Sequence, residues 1–156
     1  MASPQIFGIN GPDDLYRLLT ETYSEYQNEP TERGFLFLCS GLHHLREWIL
    51  GTGELTRCAY KRITRLPAEN RKPEEQFYLD IGALDEFEII QNFSNSGKHG
   101  TIKKPIPPTT VEDGFMFEIS SFGDGFDQVN FVIGSKNPRD IFEKVIQVYK
   151  IWFDGM

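Results

Sequence analysis

A chain of 156 residues, 39% hydrophobic and 13% aromatic, carries enough apolar material for one buried core and too much for global disorder. No apolar run approaches the roughly 18 residues needed to span a bilayer, and the opening MASPQIFGIN has neither a basic nor an apolar leader segment, so a cytoplasmic protein with no membrane contact is expected. The net charge of −7 opposes indiscriminate binding to phosphate backbones.

Pro12, with Asp13 and Asp14 behind it, starts a first helix: proline suits the first helical position, and acids suit the positive end of the helix dipole. Leu15, Leu18, Leu19, Thr22, Tyr23 and Tyr26 then lie on one stripe. A second helix is expected from about Thr31 to Leu50, stopped by Gly51 and Gly53. On it Phe37, Leu38, Gly41, Leu42, Leu45, Trp48 and Ile49 share one broad face, which places Trp48 in the core, His44 at the edge of that face and His43 in solvent.

Leu55, Cys58, Ala59, Ile63 and Leu66 predict a short third helix, closed before Pro67. Its surroundings are basic: from Arg57 to Lys72 there are six cations against Glu69 alone, a local +5 that leaves −12 for the rest of the chain. Arg57, Lys61, Arg62 and Arg65 are the nucleic-acid-binding candidates of this window, with Lys98 further on; a solvated face paired with acidic neighbours is the plainer alternative. Glu74 to Ile81 reads as a helical turn or two.

The next helix begins near Asp85, where Glu88 completes a capping-box pattern, and reaches about Gly97. Gln91, Asn95 and Lys98 recur along one side of it, with His99 one turn after Asn95, where a core helix would place leucines. Such a polar row is either a satisfied internal network or a site. Asn95 and His99 are expected to pack toward the second helix near His44, and those three are the catalytic candidates, the imidazoles for proton transfer. The plainer alternative is that Asn95 and His99 cap a helix end and tie down the loop behind it.

Three prolines in GTIKKPIPPTT exclude helix. Phe115, Phe117 and Ile119 alternate, Gly123 to Gly125 turn, and Val129, Phe131 and Ile133 alternate again, which predicts a β-hairpin over about 115–133. A last helix follows Asn137 and Pro138. The expected fold is mainly α: a single domain over 1–156, a bundle of four to five helices with an inserted hairpin. Cys39 and Cys58 match neither a CxxC nor a zinc spacing and are expected to be reduced thiols. No phosphate-binding, dinucleotide or metalloprotease motif occurs, so neither a cofactor nor a metal is expected.

An amide-rich helix ending in Asn95, Lys98 and His99, an earlier helix reading His44-Leu45-Arg46-Glu47-Trp48, and an aromatic last helix with Tyr149, Trp152 and Phe153 together resemble a group of uncharacterised bacterial and mobile-element proteins. That group is distantly similar to the HEPN superfamily of helical nucleotide- and RNA-associated domains. The resemblance implies a helical bundle that tends to form homodimers and, where active, a metal-independent ribonuclease. HEPN ribonucleases use an Arg and a His of an R-x(4–6)-H motif; here Asn95 and His99 match the polar residue and the His, whereas Ser94 stands in place of the Arg. Two functions follow. One is an RNA-directed component of a bacterial stress or defence module with a degraded ribonuclease motif. The other is a non-catalytic acidic protein, an inhibitor, immunity or adaptor protein, that meets a basic protein partner.

Overall fold

The structure, a computed structural model, describes residues 8–99, 109–113 and 129–156. Among the described residues the chain is mainly α, with six helices: α1 (Pro12–Asn28), α2 (Glu32–Leu50), α3 (Thr56–Arg65), α4 (Pro73–Gly82), α5 (Asp85–His99) and α6 (Pro138–Asp154). That exceeds the expected four to five because the stretch read as a turn or two is a full helix, α4. Its sequence shows no clear stripe; Pro73 opens it, Glu75 accepts a hydrogen bond from the Lys72 backbone N–H at 2.9 Å, and Tyr78 and Ile81 are wholly buried. Two short strands, β1 (Thr109–Asp113) and β2 (Val129–Ile133), run antiparallel with Thr109 opposite Ile133. The expected strand Phe115 to Ile119 and the turn at Gly123 to Gly125 lie outside the described residues.

Helix ends follow local chemistry. Thr31 Oγ1 accepts the Gly34 N–H at 3.0 Å, and Gly51 closes α2 in the left-handed region with φ of 71°. Asn137 Oδ1 accepts the Arg139 N–H at 2.9 Å where α6 begins.

The organising element is α2, which packs against α1 and α5 and also touches α4 and α6. Gly41 lets α1 approach closely, since a Cβ there would overlap the Leu19 side chain. Leu38, Leu42 and Leu45 are fully buried, as are Phe87 on α5 and Tyr149 on α6, whose hydroxyl donates to the Leu42 carbonyl at 2.7 Å. A smaller cluster of Leu50, Ala59, Ile63 and Tyr78 seats α3 against α2 and α4.

Because α2 has neighbours on more than one side, its buried surface is wider than one stripe and includes Cys39, His43 and Arg46. This corrects the expected phase: His43 is 2% exposed, Phe37 is 44% exposed, and Trp48 is half-buried. The gap between the mutational costs narrows with it. His43→Ala leaves a buried hydroxyl without its partner and is expected to lose about 1–3 kcal/mol. Trp48→Ala is expected to cost less than the about 3–5 kcal/mol of a core aromatic. Urea titration of the two variants checks both costs.

Candidate functional site

A cleft of about 600 Å³ opens where α2, α3, α4 and α5 meet. His43 and Arg46 reach it from α2, Arg57, Tyr60 and Thr64 from α3, Tyr78 and Gly82 from α4, and Gln91 and Asn95 from α5. The floor is cationic and the rim carries an arginine, an aromatic ring and two amides.

Arg46 is the unusual member. It is 4% exposed, yet no carboxylate lies in ion-pair range of it among the described residues. Its guanidinium carbon instead lies 4.1 Å from the centroid of the Tyr78 ring and 4.6 Å from that of Phe87. Aromatic faces attract a cation but do not neutralise it. Nη1 makes a long hydrogen bond of 3.4 Å to the Tyr78 carbonyl, and Nε has no hydrogen-bond partner among the described residues. Burial pushes the pKa of Arg46 below its usual value, but a guanidinium stays charged at neutral pH. Gly82 makes room for it: a Cβ there would stand 2.6 Å from Nη1.

Beside Arg46, His43 Nδ1 hydrogen-bonds to Ser94 Oγ at 3.1 Å, joining α2 to α5. Ser94, at the position where the resemblance would put an arginine, is thus a buried structural partner, and α5 offers no guanidinium there. His44 has its ring 4.6 Å from that of His43, tilted by 32°, and is held by Glu47 Oε2 at 2.7 Å. The other oxygen of Glu47 accepts from Thr56 Oγ1. Burial raises the pKa of Glu47, but the His44 and Thr56 hydrogen bonds and the imidazole charges outweigh it and hold the carboxyl below its usual range. The carboxylate stands between the imidazole and the hydroxyl, so His44 is not placed to activate Thr56; the chain of contacts is a strut from α2 to the start of α3.

Of the expected trio, two members have described side chains, and the cleft takes only one of them. Asn95 lines the cleft, but beside His43 and Arg46; His44 faces Glu47 and is not part of the lining. His99 and Lys98 belong to α5, and their side chains lie outside the described residues.

On α3, Arg57, Lys61 and Arg65 recur every fourth residue and all three are exposed. Arg62 is committed elsewhere: its Nε donates to Glu54 at 2.9 and 3.1 Å and its Nη1 to Glu75 at 2.7 Å. Cys39 is buried and Cys58 exposed, both free. Among the described residues no group of three or more His, Cys, Asp or Glu could hold a metal ion, and no helix is long and apolar enough to cross a membrane.

Arg46 and His43 escaped the sequence reading. The one available signal was their three-residue spacing, which puts both on the same side of α2 as a polar pair. The rings that seat Arg46 come from α4 and α5, which no local pattern links to it. No protein-family model matches the chain, and neither a curated protein nor a solved structure matches it.

Proposed function

We propose that this chain is an RNA-directed, HEPN-like helical protein of a bacterial stress or defence module that holds RNA without cutting it. The observation that carries this reading is the placement of cations. Arg57, Lys61 and Arg65 form an exposed row on α3, and Arg57 leads into a cleft that contains Arg46, a buried cation that makes no ion pair among the described residues. Tyr60, 56% exposed on the same helix, offers a face on which a base can stack. Ser94 in place of an arginine removes the group that would hold a scissile phosphate, so no cleavage is expected.

The test is labelled single-stranded RNA at two salt concentrations. Wild type is expected to bind in a salt-sensitive manner, with log K falling less steeply by about 0.7 for each α3 cation replaced by glutamine. Cleavage that disappears in His99→Ala would overturn the holding role, and absence of binding at low salt would overturn the RNA reading itself.

A second reading is favoured by the end of α1 and the residue that caps it, where Glu21, Glu25 and Glu29 are exposed at four-residue spacing on a chain of net charge −7. That row suits a non-catalytic inhibitor, immunity or adaptor protein facing a basic partner. Under it, RNA binding is absent, and reversing Glu21 and Glu25 to lysine abolishes partner capture while His99→Ala leaves it intact.

A further inference from the structure

Resting on the RNA reading, we infer that the cleft between α2, α3, α4 and α5 receives one nucleotide bearing a terminal phosphate, with the phosphate between Arg46 and Arg57 and the base at Tyr60. The volume of about 600 Å³ lies in the range of pockets that enclose a small organic ligand. What selects a terminal phosphate is the depth of Arg46. An internal phosphodiester leaves through two ester bonds, and both arms of the chain must find an exit. A monoester has one arm and presents three acceptor oxygens with a charge of about −1.5 to −2 at neutral pH. Arg46 is 4% exposed and walled by α4 at Gly82, so a group that enters by one arm reaches it more readily than a chain passing through. Two arginines facing the cleft match that charge, and guanidinium forks match paired phosphate oxygens.

The remaining lining fits the rest of a nucleotide. Tyr60 stands at the rim with more than half its surface in solvent, as a stacking platform requires. Gln91 and Asn95 each bring a donor and an acceptor to the lining from α5, suited to base edges or ribose hydroxyls. Free nucleoside monophosphates and phosphorylated RNA ends share this chemistry.

The experiment titrates the full chain with adenosine 5′-monophosphate, adenosine and inorganic phosphate, and with one oligoribonucleotide carrying either a 5′-phosphate or a 5′-hydroxyl. The monophosphate is expected to bind saturably and raise Tm, adenosine to do neither, and the phosphorylated oligonucleotide to bind about tenfold more tightly than its hydroxyl form. Arg57→Gln, a change at an exposed residue, is expected to keep the unliganded Tm and lose that tenfold preference. Equal affinity for the two oligonucleotides overturns the inference while leaving RNA binding by the α3 row intact. Saturation by the monophosphate without binding of either oligonucleotide keeps the nucleotide cleft and sinks the RNA reading. Inorganic phosphate binding as tightly as the monophosphate overturns the nucleotide assignment, as does no saturation by the monophosphate at millimolar concentration.

Discussion

Phe87→Ala is expected to lose about 3–5 kcal/mol of folding stability, the range for truncating a fully buried aromatic. The ring is 0% exposed on α5, the helix that packs most extensively on α2, and it does two things there. It fills the core, and its face lies over the Arg46 guanidinium at 4.6 Å. The alanine variant therefore leaves a cavity and removes one of two aromatic seats from a buried cation, so both effects act in the same direction. Urea denaturation measures the sum. A cost below about 1 kcal/mol would mean that the α2–α5 packing described here is wrong.

The second large effect falls on binding. Arg46→Met is expected to change folding stability by no more than about 1 kcal/mol, because it breaks no ion pair among the described residues, relieves the desolvation of a buried cation and keeps a polarisable chain between Tyr78 and Phe87. Phosphate binding in the same variant is expected to weaken by about tenfold to a hundredfold, through loss of charge-assisted hydrogen bonds. Calorimetric titration with adenosine 5′-monophosphate, set beside a urea curve, separates the two. A loss of about 3 kcal/mol or more with undiminished nucleotide binding would make Arg46 a structural arginine that seals α4 against α2.

What the sequence revealed and what it hid divide along the range of the interactions. The ends of α2 and α6 were legible because their causes lie within a few residues: Thr31 to Gly34, Gly51 with its positive φ, Asn137 to Arg139. The stripe on α1 was legible too, since Leu19, Tyr23 and Tyr26 are buried as its spacing demands. On α2 the same reasoning misplaced His43 and Trp48, because a helix enclosed by several others has no single wet face. α4 was missed for a related reason: Tyr78 and Ile81 are buried by neighbours, and the helix's own pattern is weak. The polar side of α5 was seen, and Gln91 and Asn95 do line the cleft. Their partners were not, since Arg46 is seated by rings 32 and 41 residues further along the chain. The basic window was legible as composition, but only distance separates Arg62, spent on Glu54 and Glu75, from the exposed Arg57, Lys61 and Arg65.

Gly82 gives this cleft a signature that the R-x(4–6)-H motif does not. A Cβ at position 82 would stand 2.6 Å from Arg46 Nη1, so a side chain there requires the guanidinium to shift from its place between Tyr78 and Phe87. In descendants of one ancestor, an arginine at 46 should travel with a glycine at 82. Where the arginine has been replaced by something shorter, position 82 is released to alanine or serine. Paired change at these two sites, sought across distant sequences, would trace the cleft through lineages in which the histidines and the basic helix have drifted beyond recognition.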